Sequence, residues 1–149
     1  MTEEQKEAIQ NFFKSLKVLK RMGIVRSDVV LGDIGEFLCT FAFPGLQLMT
    51  EKTNEGYDAY FNNKKVQIKY SNSRDAKNID LGKPDKYQEL IIVLGKNSAH
   101  RMAGELDVDY VFYRYSSSEV IENFKVASGY KLSKTKHFKK AEKRYKINA

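Results

Sequence analysis

The chain has 149 residues, 26 lysines and arginines against 19 aspartates and glutamates, and a net charge of +7 with a pI of 9.3. This length suits one domain, residues 1–149, that buries its own core, and the 42% hydrophobic and 12% aromatic content excludes a disordered chain. A single cysteine, Cys39, excludes an internal disulfide and a four-cysteine zinc site, and no apolar run reaches the roughly 18 residues of a membrane span. The acidic, amphipathic start does not read as a signal peptide, so a cytoplasmic protein with no membrane partner is expected.

Residues 2–22 predict a helix. Thr2 and Gln5 have capping-box spacing, and Ile9, Phe12, Phe13, Leu16 and Leu19 form one stripe, with Gly23 as a stop. The stripe is expected to face the core, with a dimer seam as the alternative. Ser27 and Asp28 can cap a second helix running to about Phe43, where Pro44 and Gly45 end it. Gly32 and Gly35 are poor helix formers, so their presence predicts a close approach on that side. Strands are expected at 46–49, 57–61, 65–70, 89–94 and 110–115, and the doubly apolar run ELIIVLG reads as a central buried strand. Residues 71–86 read as a polar loop. Ser118 can cap a short helix to Phe124, and Ser133 a basic one over 134–145, with Phe138, Ala141 and Tyr145 as its narrow apolar edge. The order is mixed α/β, in one domain without repeats.

The charge is concentrated. From Asn123 to Ala149 nine basic residues face one acid, Glu142, for a net +8, which leaves the rest of the chain at −1. Such a basic C-terminal segment suits a polyanion, nucleic acid above all, or serves solubility alone. Its Lys134, Lys136, Lys139, Lys140, Lys143 and Arg144 are candidate phosphate contacts.

The chemistry lies in GYDAYFNNKKVQIKY, residues 56–70. Asn62-Asn63 suits a two-residue turn, because asparagine tolerates positive φ. Pairing from that turn sets Asp58 opposite Gln67; a turn at Asn63-Lys64 would set it opposite Lys69. Either way, alternation gathers Asp58, Tyr60, Lys65, Gln67 and Lys69 on one face and Tyr57, Ala59, Phe61, Val66, Ile68 and Tyr70 on the other. A carboxylate, a second oxygen donor and a lysine on one sheet face suit metal-assisted phosphodiester hydrolysis. The alternative is the ordinary polar face of a half-exposed hairpin.

Asp58 followed by Gln67-Ile68-Lys69 resembles the PD-(D/E)XK signature of the restriction-endonuclease-like nuclease superfamily, and LGDIGEFL supplies Glu36, twenty-two residues before Asp58. The order of helix, three strands, a helical or loop region and two more strands, over about 28–124, is similar to that family's core. The resemblance implies a mixed central sheet flanked by helices, an endodeoxyribonuclease activity, Mg²⁺ (or Mn²⁺) as cofactor and DNA as partner. By position, Asp58 would be the principal metal ligand, Gln67 and the Ile68 carbonyl further ligands, Glu36 the supporting helix acid and Lys69 the catalytic lysine. No proline precedes Asp58, and Gln67 stands where the family has an acid. An amide oxygen brings no charge, so the metal would bind more weakly. A catalytically silent nuclease-fold protein that binds nucleic acid or acts as an inhibitor is therefore the alternative.

Small neighbours at Gly32 and Cys39 would bring Glu36 to the metal edge of the sheet, and Cys39 itself reads as a packing residue. In the following loop, Ser71, Asn72, Ser73, Arg74 and Lys77 are donors suited to phosphates. His100 and His137 lack ligand spacing, and Gly95-Lys96 lacks the first glycine of a P-loop. Cutting both strands together would need two sites, which suits a homodimer.

Overall fold

The computed structural model describes residues 1–22, 31–50, 55–133 and 139–147. Gly23, Ser27, Asp28, Lys134, Lys136, His137 and Phe138 lie outside the described residues, and with them the expected cap of the second helix. Among the described residues no helix is long and apolar enough to cross a membrane.

Helix α1 spans Glu3–Arg21 and begins with the expected capping box: Gln5 N donates to Thr2 Oγ1 at 3.1 Å and Thr2 N to Gln5 Oε1 at 2.9 Å. Helix α2 spans Gly32–Ala42 and is followed by strands β1 (Gln47–Leu48), β2 (Ala59–Phe61) and β3 (Lys64–Ser71). Then come β4 (Asn78–Asp80), β5 (Glu89–Gly95), a 3₁₀ turn at Ala103–Glu105, β6 (Tyr110–Ser116), α3 (Ser117–Asn123), β7 (Lys125–Val126), β8 (Gly129–Ser133) and β9 (Lys143–Tyr145). Among the described residues the main sheet has six strands in the order β1-β2-β3-β5-β6-β9, and only β3 and β5 pair in parallel; the other pairs are antiparallel. A second sheet, β4-β8-β7, has three strands.

Strand β5 is buried on both faces, as its unbroken apolar run predicts. Ile91 and Val93 face α2 and meet Leu38, Cys39, Ala42 and Phe43, together with Ala59, Val66, Ile68 and Phe112. Leu90, Ile92 and Leu94 face the other way, against Leu81, Tyr87, Tyr113, Tyr115, Val120, Phe124 and Leu132. The layers are therefore helix, sheet, and a cover built from α3, the small sheet and its loops. This is a mixed α/β fold. Removing a fully buried side chain from β5 to alanine would cost about 2–5 kcal/mol.

Four expectations need correction. The polar stretch 71–86 contains β4, because Ile79 is buried against Leu132 of β8 instead of lying in a loop. Helix α3 is capped by Ser116, not Ser118: Glu119 N donates to Ser116 Oγ at 3.1 Å and Ser116 N to Glu119 Oε2 at 2.8 Å. The basic helix over 134–145 is absent among the described residues: Ser133 ends β8 and Lys143–Tyr145 is a strand paired with β6. Nonlocal pairing with an open sheet edge outweighs a weak i, i+3, i+7 pattern. The stripe of α1 divides, with Leu16 buried and Ile9 and Phe13 against the core, while Phe12 is 38% exposed.

The two helix glycines also part company. A Cβ on Gly35 would lie 2.9 Å from Tyr70 Cβ, whereas one on Gly32 would meet nothing within 4 Å. Tyr70 Cβ is fixed to the β3 backbone and cannot swing aside. Gly35→Ala should therefore cost about 1–3 kcal/mol through overpacking, measured by urea denaturation, with Gly32→Ala neutral or slightly stabilising in the same assay.

Candidate active site

The hairpin of β2 and β3 turns at Asn62 (φ 50°) and Asn63 (φ 61°), which settles the turn on the first of the two registers. Positive φ at both central residues matches the twist of the flanking strands. Pairing runs Phe61↔Lys64, Tyr60↔Lys65 and Ala59↔Val66. Asp58 lies one residue beyond the last pair. Its N–H donates to Val66 O at 2.8 Å, and its own carbonyl accepts from Met49 N at 2.9 Å.

The Asp58 carboxylate then does what a strand carbonyl would have done. Oδ2 accepts from Ile68 N at 2.8 Å and from Gln67 Nε2 at 2.5 Å. Gln67 Nε2 also lies 3.2 Å from the Ile68 carbonyl oxygen, to which it donates. Two oxygens, Asp58 Oδ2 and Ile68 O, thus converge on one donor. Gln67 is only 8% exposed, so these bonds replace water it cannot reach.

Glu36 comes from α2 to the same place. Burial, and then the neighbouring Asp58 charge, raise its pKa above the usual 4.5. Both residues line a cavity of about 250 Å³ together with Asp33, Leu48, Met49, Thr50 and Tyr57. Asp33 is the residue that sequence reading missed. Its signal was there, one helical turn before Glu36 at i−3. Cys39 is fully buried and its thiol is pushed far up, first by burial and then by Glu36 and Asp58, which fits a packing residue and not a nucleophile.

Lys69 shares the Gln67 face of β3 and pairs with Ile92 of β5. Its Cε passes the Gly82 turn, 3.9 Å from where a Cβ on Gly82 would stand. No hydrogen bond or ion pair engages its ammonium among the described residues. Tyr57 departs from the expected face: it packs with the second core cluster, its hydroxyl 3.0 Å from that of Tyr60 and its ring 5.0 Å from Lys65 Nζ. Residue alternation does not reach it, because the ladder stops at Ala59.

The candidate phosphate contacts are divided in role. Ser71 ends β3. Asn72 Oδ1 accepts from Asn97 N at 2.8 Å, and Ser73 Oγ accepts from Asp75 N and Ala76 N at 3.2 and 3.1 Å, so both side chains shape the loop. Arg74 is exposed, with one donor on Asn97 Oδ1 at 3.0 Å, and Lys77 is exposed. The Lys77 carbonyl lies 3.3 Å from Nε2 of the fully buried His100. Lys139 is tied to the body, 3.0 Å from Glu119 Oε2 and 4.7 Å above the Tyr115 ring. Lys140, Lys143 and Arg144 are exposed, the last two on edge strand β9. That edge is three strands from β3, or about 14 Å.

Among the described residues there is no cluster of three His, Cys, Asp or Glu side chains set to hold a metal. The donor set suited to a hard cation is instead a mixed one: the Asp58 carboxylate, the Ile68 carbonyl, the Gln67 amide and Glu36. A half-turn of the Gln67 amide would bring Oε1 to the point where Asp58 Oδ2 and Ile68 O already meet, which makes an all-oxygen set. No protein-family model and no curated protein matches the chain.

Asp58 has a structural role apart from any chemistry. Asp58→Ala should cost about 1–3 kcal/mol by leaving Ile68 N–H buried without an acceptor, and Asp58→Asn less, because its amide oxygen still accepts; urea denaturation of both separates the two. Because the folded-state pKa of Glu36 is raised, its ionisation opposes folding as pH rises through that value, and the cost vanishes where an unfolded glutamate is itself protonated. In an NMR titration the Glu36 carboxyl should titrate above 4.5 and move down in Asp58→Asn, which leaves burial as the remaining cause.

Proposed function

We propose that the chain is a metal-dependent nuclease of restriction-endonuclease-like fold that hydrolyses phosphodiester bonds of DNA. The observation that carries this reading is the convergence of Asp58 Oδ2 and the Ile68 carbonyl oxygen on the Gln67 amide, beside Glu36. Asp58, the Ile68 carbonyl and a turned Gln67 Oε1 would hold Mg²⁺ or Mn²⁺, with Glu36 adding charge from the helix. Bound there, such an ion would stabilise charge on a phosphoryl oxygen and acidify a water molecule. Lys69, two residues on and on the same strand face as Gln67, orients the attacking water or neutralises charge that develops in the transition state. Arg74, Lys77, Lys140, Lys143 and Arg144 supply affinity for the backbone phosphates, independent of sequence and weakened by salt.

One observation favours a second reading. The Gln67 amide already donates to both converging oxygens, so the site satisfies itself without a cation. A silent DNA-binding module would keep that arrangement. Replacing the amide separates the two: Gln67→Glu cannot donate to Asp58 and adds a negative charge, so it should tighten Mn²⁺ binding measured by calorimetry.

Activity is tested on supercoiled DNA with Mg²⁺ or Mn²⁺. Cleavage by the wild type should stop on chelation, fall about 10²–10³-fold in Lys69→Ala, and be lost in Asp58→Asn, a variant that keeps the hairpin acceptor. Equal cleavage by all three proteins would overturn the nuclease reading. DNA binding without cleavage by either the wild type or Gln67→Glu would support the silent module. Joint replacement of Lys140, Lys143 and Arg144 by alanine should flatten the salt dependence of DNA affinity by up to about three in log–log slope. An unchanged slope would assign those residues to solubility alone.

A further inference from the structure

A second cavity, of about 350 Å³, opens between α1 and the carboxyl ends of β3 and β5, and it shares no lining residue with the cavity at Asp58. These two strands are the parallel pair among the described residues, and the carboxyl ends of parallel strands are where α/β sheets take small ligands. Its size falls at the lower end of small-molecule sites, which run from roughly 300 to 1,000 Å³. Part of the lining is apolar. Phe13 comes from α1, Tyr110 from the start of β6 and Ile147 from the C-terminal segment, and the rings of Phe13 and Tyr110 lie 6.4 Å apart at 48°.

The polar part of the lining is mostly donors. Lys14 of α1 and Lys96, just after β5, are both exposed, and no hydrogen bond or ion pair engages either ammonium among the described residues. Asn72 Oδ1 accepts from Asn97 N at 2.8 Å, and Asn97 Oδ1 accepts from Arg74 Nη2 at 3.0 Å, so the Nδ2 of each amide is left to donate. Gly95 makes room for the first of these amides, since a Cβ there would lie 2.5 Å from Asn72 Oδ1. One acid stands among the donors. Asp109 Oδ2 accepts from Ile147 N at 2.8 Å, while its Oδ1 accepts nothing and pairs with neither lysine among the described residues.

We propose that this cavity binds a nucleoside monophosphate. The phosphate takes Lys14 and Lys96 together with the Asn72 and Asn97 amides, as charge-assisted hydrogen bonds. The base lies against Phe13 and Tyr110, and Asp109 Oδ1 accepts from a base N–H. Each part of the lining rejects a simpler ligand. Inorganic phosphate leaves the aromatic walls bare, and a neutral nucleoside leaves both lysines without an anion. An aromatic carboxylate brings no N–H to Asp109. The inference does not draw on the chemistry at Asp58 and holds whether or not the chain cuts DNA.

Calorimetric titration of the full chain with dAMP, dGMP, dCMP and dTMP tests it. At least one should bind with a dissociation constant on the order of 100 µM, and its nucleoside and inorganic phosphate should each bind at least about tenfold more weakly. In NMR spectra the Phe13 and Tyr110 ring signals should move with the nucleotide and not with phosphate. Lys14→Ala/Lys96→Ala should weaken the nucleotide at least about tenfold, with circular dichroism and melting temperature unchanged because both side chains are exposed. Asp58→Asn and the joint alanine variant of Lys140, Lys143 and Arg144 should bind as the wild type does, since none of those residues lines the cavity. No nucleotide binding at about 1 mM would overturn the proposal. So would equal affinity for inorganic phosphate, or a nucleotide affinity that ignores Lys14 and Lys96 and falls with the β9 residues instead.

Discussion

The turn at Asn62 and Asn63 is the constraint on which the rest of the molecule hangs. Two consecutive residues with positive φ fix the hairpin to one register. A turn one residue later, at Asn63-Lys64, would keep both faces of β3 but set Asp58 opposite Lys69 instead of Gln67. With the register set, β3 offers one apolar face to α2 and pairs its edge with β5, the strand buried on both sides. The meeting of Asp58 with Gln67 thus follows from those two backbone angles, while the division of β3 into an apolar and a polar face holds for either turn.

Asp58 sits where that ladder gives out, and its carboxylate continues the hydrogen bonding that the backbone does not. A carboxylate held by Ile68 N–H and the Gln67 amide is already oriented, so little conformational freedom would be lost on meeting a cation. The same arrangement shows what a glutamine at residue 67 does that an acid could not. A glutamate there would repel Asp58 unless a cation lay between them, whereas the amide lets the hairpin close without one. Burial and the Asp58 charge both disfavour the Glu36 carboxylate, and a cation between the two acids would relieve their repulsion.

The basic C-terminal segment is less a tail than a stitched strand. Glu142 N donates to Phe112 O at 2.8 Å, Ile147 N to Asp109 Oδ2 at 2.8 Å, and Lys139 pairs with Glu119. The buried Glu105 carboxylate, which accepts from the Tyr113 hydroxyl, also receives Ala141 N at 3.4 Å. Part of the +8 is therefore spent on structure, while Lys143 and Arg144 protect the exposed edge of β9 from further pairing.

The sequence by itself determined what local chemistry determines. The Thr2 capping box, the Asn-Asn turn, the buried ELIIVLG strand and the gathering of Asp58, Gln67 and Lys69 all follow from spacing and alternation over a few residues. Tertiary structure alone decided the rest. It split the stripe of α1 into an inner and an outer face, brought Asp33 to the site where Glu36 had been expected, recruited 78–80 as a strand and drew 143–145 onto β6 where a helix had been expected. Those outcomes depend on which distant surface a segment meets, and an open sheet edge or an unfilled core face attracts whatever chain can satisfy it, whatever its local periodicity.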